Sequence, residues 1–131
     1  MLFLLTLLFG VAQGSIKDCA PSSLFKLNGL AFWPDPPTQN ENSTISLDYT
    51  IPAGTSIDAG SVVYSVTYNF IPFSPTTEDL CTNTKCPLLP GTYNQSTSSN
   101  FPDLSGSVTI TSKWYDSLKN LLLCYVVQVK V

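Results

Sequence analysis

Four cysteines, Cys19, Cys81, Cys86 and Cys124, are the residues of this chain best suited to covalent chemistry, and histidine is absent. Without an imidazole, Ser-His-Asp and Cys-His nucleophilic catalysis are excluded and the commonest metal ligand is missing. Cys81 and Cys86 have a spacing found in zinc sites, but no histidine or second close cysteine pair completes a tetrahedral set. The one adjacent acidic pair, Glu78-Asp79, would point its carboxylates to opposite sides of an extended chain. It reads as a solvated turn, not an acid–base dyad. Glycine-rich phosphate loops and nucleophile elbows do not occur. The expectation is a protein without a catalytic set, metal or cofactor.

The cysteines make better sense as cross-links. The chain opens with "MLFLLTLLFGVAQGS", an apolar run that ends in small residues. Its length suits a secretory signal and falls short of a membrane span of about 20 residues. We therefore divide the chain into a signal peptide, 1–14, and a mature domain, 15–131. All four cysteines follow that boundary, and an even number behind a signal reads as a disulfide framework. Three pairings are possible. Cys81 with Cys86 is the natural local pair, which leaves Cys19 with Cys124. Two sequons, Asn42-Ser43-Thr44 and Asn94-Gln95-Ser96, add candidate glycosylation sites at Asn42 and Asn94.

The chain is 44% hydrophobic but only 11% charged, against about 25% charged in an ordinary soluble domain. Its net charge is -3, with six lysines and no arginine. Nothing here favours nucleic acid. Period-two alternation dominates after residue 40. Ile45, Leu47, Tyr49 and Ile51 share one face, as do Val62, Tyr64, Val66, Tyr68 and Phe70. Val108, Ile110 and Trp114 form a third set, and Leu121, Leu123, Tyr125, Val127, Val129 and Val131 a fourth. Such runs are half-buried antiparallel strands. "LFKLNGLAFW" is a less regular early strand broken by Gly29, "YDSLKN" suits a hairpin and "NQSTSSN" reads as a polar surface loop. The fold class is all-β, a two-sheet antiparallel sandwich of six to eight strands.

One stretch breaks the pattern. "FIPFSPTTEDLCTNTKCPLLPGTY" interleaves four prolines with Phe70, Ile71, Phe73, Leu80, Leu88, Leu89 and Tyr93. Proline keeps it out of a central strand. On composition alone it is either a lid over the core or the rim of an opening into it.

The order of several short motifs resembles the ML lipid-recognition family, which includes the Niemann–Pick type C soluble cholesterol carrier. "KDC" opens the mature chain. "IPFSPTTEDLC" is similar to the family's proline-phenylalanine rim, and "CP" then "GTY" to its small disulfide loop. "FP" at Phe101-Pro102 and the closing hairpin, with a Trp in one strand and the last Cys in the other, complete the likeness. Two features depart from the pattern. "AFWPDPP" holds no cysteine where the cholesterol carrier has a third disulfide, and the spacing from Phe101 to Trp114 is longer. Sterol preference is therefore not carried over; other members transfer phosphatidylglycerol or phosphatidylinositol.

The resemblance implies an immunoglobulin-like sandwich with an apolar pocket between the sheets. It also implies a monomeric, secreted or endolysosomal protein that carries a sterol or phospholipid and touches membranes transiently. Phe73 and Phe101 are the implied mouth aromatics, and the Cys81–Cys86 loop becomes part of the rim. Alternation adds Val66, Tyr68, Phe70, Tyr93, Ile110 and Trp114 as lining, each of which would otherwise be ordinary core. A lipid-presenting or sensing protein and a ligand-free interaction module are the competing readings.

Overall fold

The computed structural model describes residues 15–34, 37–100 and 105–130. The proposed signal segment and Phe101 lie outside them. Among the described residues, nine strands and one helical turn follow in chain order: β1 Ser15–Asp18, β2 Lys26–Trp33, β3 Asn42–Ile51, β4 Gly60–Tyr68, β5 Ile71–Pro72, β6 Thr76–Asp79, α1 Leu80–Asn83, β7 Gly91–Asn100, β8 Ser107–Asp116 and β9 Leu121–Lys130. The first sheet runs β1-β9-β8-β4, with β5 and β6 both beside β4; the second runs β2-β3-β7. All pairings are antiparallel. Among the described residues no helix is long and apolar enough to cross a membrane.

The alternating faces meet in the middle. Leu47, Tyr49 and Ile51 of β3 are buried against Val62 of β4, Val108 and Trp114 of β8, and Leu123, Tyr125, Val127 and Val129 of β9. Fixing the register fixes which residues face inward, because a one-residue slip would turn every side chain over. Turn chemistry pins that register at the β8–β9 hairpin. The Asp116 carboxylate accepts from the backbone N–H of Leu118 at 2.9 Å and of Asn120 at 2.8 Å. The Asn120 side chain also donates to it, at 3.0 Å. These bonds hold the Asp116 carboxyl below its ordinary pKa. In β2 the pairing shifts between Leu27 and Gly29, the irregularity that the glycine signalled.

Residues 94–100 are a strand, not the polar loop expected from their composition. They form most of β7, and every residue from Gly91 to Asn100 has a partner in β3. The backbone ladder needs no apolar side chains at a sheet edge. Small hydroxyls suit the solvent side, where Ser98 bonds Thr44 at 2.8 Å and Thr92 bonds Thr50 at 3.2 Å. Glu78-Asp79 is likewise part of edge strand β6 and not a free turn.

Both disulfides form as expected, Cys19–Cys124 and Cys81–Cys86. The first ties the end of β1 to β9, where the Cys19 N–H also donates to the Cys124 carbonyl at 3.2 Å. The second links Cys81, the second residue of α1, to the loop beyond it. The two bridges close loops of very different size, with sequence separations of 105 and 5. Loop-closure entropy predicts that Cys19→Ala/Cys124→Ala costs about 5 kcal/mol, and Cys81→Ala/Cys86→Ala about 2 kcal/mol. Urea unfolding of the two double variants checks the order; equal losses would contradict it.

Candidate functional site

The two sheets do not close on each other equally along both sides. On the side of β2 and β9, the connecting segment brings in Phe25, whose N–H donates to the Leu122 carbonyl at 2.8 Å. Its ring stacks on Tyr49 at 6.0 Å and meets Trp114 edge-on at 6.5 Å, while Tyr49 meets Trp114 at 5.3 Å. This aromatic cluster fills the space there.

On the other side lie the edge strands β6 and β7, with a cavity of about 300 Å³ between the sheets. Ile45 and Leu47 of β3 and Gln95 and Thr97 of β7 form one wall. Val62 and Tyr64 of β4, Glu78 of β6, Ile110 and Trp114 of β8, and Tyr125 of β9 form the other. Partners opposite each other in a ladder share a face, which explains the set. Glu78 pairs with Val62, Gln95 with Leu47 and Thr97 with Ile45. Each edge residue is carried inward by a core residue beside it.

A second cavity, about 460 Å³, adjoins this one, and Gln95 lines both. It is bounded by the loop at Thr84–Leu89, the start of β7, and Tyr49. Tyr49 and Gln95 stand at its inner limit, joined by a hydrogen bond of 3.3 Å from the Tyr49 hydroxyl.

The expected site residues are distributed as follows. Ile110 and Trp114 line the inter-sheet cavity. Val66 and Tyr68 pack against the core at one end of β4 without lining that cavity, and the Tyr68 hydroxyl donates to the Ser105 carbonyl at 2.6 Å. Phe73 hangs at the sheet edge, its N–H bonded to the Val66 carbonyl at 2.9 Å and its side chain half exposed. Tyr93 lines the second cavity instead and stacks on Tyr49 at 5.6 Å.

Phe70 does not line the interior. It sits at the tip of the β4–β5 hairpin and is 86% exposed. The alternation of β4 stops at Tyr68, because Asn69 and Phe70 turn the chain with φ of 47° and 67°.

The Cys81–Cys86 loop is not at the Phe73 rim. Phe73 is beside Val66, whereas Asp79, just before the loop, pairs with Ser61. Five positions of β4 separate them, about 17 Å. Leu80 and Leu88 are buried, and Leu88 bridges Ile57. The loop packs over the opposite end of the sandwich and also bounds the second cavity, so it is lid and rim together, but away from Phe73. Gly60 permits this close fit, since a Cβ there would stand 2.2 Å from the Tyr115 carbonyl and 2.9 Å from Leu80.

Sequence reasoning passed over Ile45, Leu47, Val62, Tyr64 and Tyr125 as lining, although their shared faces were visible. It passed over Gln95, Thr97 and Glu78 because their segments read as loop and turn. Among the described residues no cluster of His, Cys, Asp and Glu could hold a metal ion.

Burial raises the Tyr64 hydroxyl to about 12, helped by Tyr125 and Glu78 nearby. Burial likewise raises Tyr125, with an opposing pull from Ser112, and raises Tyr49, with Tyr93 adding to it. This wall of the cavity disfavours charge.

Fold and site together define a β-sandwich that keeps its sheets apart along one edge and encloses a largely apolar cavity there. The sequence model of the ML domain matches residues 13–131, and the chain belongs to the ML-domain family. Among solved structures it is similar to a Niemann-Pick type C2 protein from Japanese carpenter ant. The TM-score is 0.67 at 14% identity, covering 88% of this chain and 98% of that one. It is also similar to chicken MD-1 complexed with lipid IVa, with a TM-score of 0.57 at 12% identity, covering 88% of this chain and 86% of that one. At these identities the likeness concerns the fold. No curated protein sequence matches the chain.

The tyrosine wall gives a pH signature. Unfolded Tyr64 loses its proton near pH 10, the folded residue near 12. The unfolded state then binds fewer protons, so Tyr64's contribution is intact below about pH 10 and lost as pH rises towards 12. Tyr64→Phe is expected to flatten this alkaline loss in denaturant midpoints between about pH 9 and 12; an unchanged slope would contradict the burial of that hydroxyl.

Proposed function

We propose that this ML-domain protein binds a lipid, a sterol or a phospholipid, between its two sheets and exchanges it with membranes. The observation that carries the reading is the inter-sheet cavity on the β6–β7 side, with an apolar fringe beside it. Ile71 pairs with Tyr68 and Phe73 is bonded to Val66, so both edge residues sit beside inward-facing positions while remaining 61% and 53% exposed. A cavity near 300 Å³ is at the small end for ligand sites. It takes about ten methylene-sized volumes. Burying that many gains roughly 8 kcal/mol. No bond need be made or broken, and the protein acts as a carrier without catalysis. We place it in the secretory pathway, outside the cell or in the endolysosomal lumen, with Cys19–Cys124 and Cys81–Cys86 as stable cross-links. Asn42 and Asn94 are exposed, as glycan acceptors must be; the Asn94 amide donates to Asp48 and would have to leave it.

The hairpin tip supports membrane contact. A two-residue turn with both φ positive favours Asn-Gly, yet here it is Asn69-Phe70. A bulky residue in the left-handed region costs about 1–2 kcal/mol. Phe70 bears that cost and is 86% exposed. Trp33, 73% exposed, ends β2 opposite Thr44, at the end of the sandwich where β3 begins. These rings suit the interfacial zone of a bilayer. The reading makes Phe70 and Phe73 the contact with the membrane from which lipid is drawn.

Two measurements test this. Solvent extraction of the protein from a secretory host, followed by mass spectrometry, should yield stoichiometric lipid; a clean extract opposes carriage. In vesicle-to-vesicle transfer, Phe70→Gly should slow exchange several-fold while leaving stability equal or up to about 1 kcal/mol higher. Transfer at the parent rate would remove the hairpin from the mechanism.

A further inference from the structure

The cavity is not uniformly apolar. Ser112 lies at the centre of the first sheet, where it pairs with Tyr64 of β4 on one side and Tyr125 of β9 on the other. It shares the inner face of β8 with Ile110 and Trp114, which line the cavity, as do both tyrosines. Ser112 is 0% exposed, and its hydroxyl has no hydrogen-bond partner. Ser112 is near enough to Tyr125 to pull its hydroxyl's pKa down as a hydrogen-bonding neighbour does, although no hydrogen bond of ordinary geometry joins the two. Leaving a buried hydroxyl unpaired costs about 1–3 kcal/mol. An unpaired hydroxyl at a sheet-centre position adds nothing to the fold that a side chain without a polar atom would not.

The ionisable groups around the cavity narrow the ligand. Glu78 stands at the β6 edge, and no lysine is among the lining residues. The nearest lysine on β8, Lys113, is exposed. A carboxylate or phosphate drawn to Ser112 would approach the like charge of Glu78 in a cavity lined by no lysine, and a desolvated charge of either sign is costly beside these phenols. An uncharged hydroxyl can both donate and accept, which suits a site made of three hydroxyls.

We propose that Ser112, buried between Tyr64 and Tyr125 of the cavity wall, marks a polar subsite at the cavity's margin that receives the hydroxyl group of an uncharged lipid once the two rings part. The chemical class is a fatty alcohol, an acylglycerol with a free hydroxyl or a sterol, bound with that hydroxyl directed inward. The assignment rests on the lipid-carrier reading and narrows it. The subsite decides which lipid is retained, while the apolar walls supply affinity without discrimination.

The test uses displacement of diphenylhexatriene, an apolar fluorophore, by three amphiphiles of equal chain length: hexadecanol, palmitate and hexadecylamine. The proposal expects hexadecanol to compete best at about pH 8, where the acid and amine are charged. Ser112→Ala should weaken hexadecanol roughly tenfold, leave diphenylhexatriene and palmitate unchanged, and leave the unliganded protein as stable or more so. Tyr64→Phe, which retains the ring, should weaken hexadecanol as well. Equal competition by all three amphiphiles, or a preference for amine or acid, overturns the subsite but leaves lipid carriage standing. So does unaltered hexadecanol affinity in Ser112→Ala, or a drop in its unliganded stability, which would mean the hydroxyl is already partnered without lipid. If neither the fluorophore nor any amphiphile binds, the carrier reading itself falls.

Discussion

The structure depends on an asymmetry in how its two sheets are held together. Along one side, the Phe25–Tyr49–Trp114 ring cluster fills the space between them, and within the first sheet the Cys19–Cys124 bridge fastens the end of β1 to β9. Along the other side the edge strands β6 and β7 leave room. Sandwich sheets normally interdigitate to an interior about 10 Å thick. Here contact is dense on one flank, and the opposite flank carries the cavity. A large aromatic cluster can hold two sheets at a fixed separation because buried rings gain both area and specific edge-to-face contacts. The cavity is what remains where the rings of Tyr64, Trp114 and Tyr125 line that gap without filling it.

Much of this was legible in the sequence, for physical reasons. Alternation identified the inner faces of β3, β4, β8 and β9 because one buried face leaves a period of two. Cysteine number and spacing gave the bridges, and ordered motifs gave the family. Two things were hidden. Strand β7 is nearly free of apolar residues, since an edge strand takes its order from the backbone ladder with β3. Its Gln95 and Thr97 therefore could not be recognised as lining. The proline-rich stretch looked like one apolar unit, but it spans the length of β6. Its first part, with Phe70 and Phe73, belongs to one end of the sandwich, while Leu80 and Leu88 cap the other. Proximity in sequence was mistaken for proximity in space.

Those two ends perform different work. The disulfide loop is an anchor: two buried leucines, a short bridge and a glycine that allows close approach stabilise one end of the sandwich. The hairpin at Asn69–Phe70 is the reverse, a strained backbone bearing an exposed ring. Strain that persists where glycine would relieve it is a sign of use. Between the ends, Tyr64 and Tyr125 flank the buried Ser112 in a wall that also carries Glu78 at its edge. The capped end and the ring cluster are the closely packed parts of the sandwich, while Phe70 at the tip and Phe73 at the edge are exposed.

The central claim is that lipid occupies the space between the sheets. The chain has two tryptophans, and they report different places: Trp114 is buried on the cavity wall and Trp33 is exposed at the end of β2. Brominated lipid chains quench tryptophan emission at contact distance. In a Trp33→Phe variant, titration with a lipid brominated along its chain should quench the remaining Trp114 emission saturably, at one lipid per protein. Binding that leaves Trp114 emission intact would place the lipid elsewhere and contradict the account.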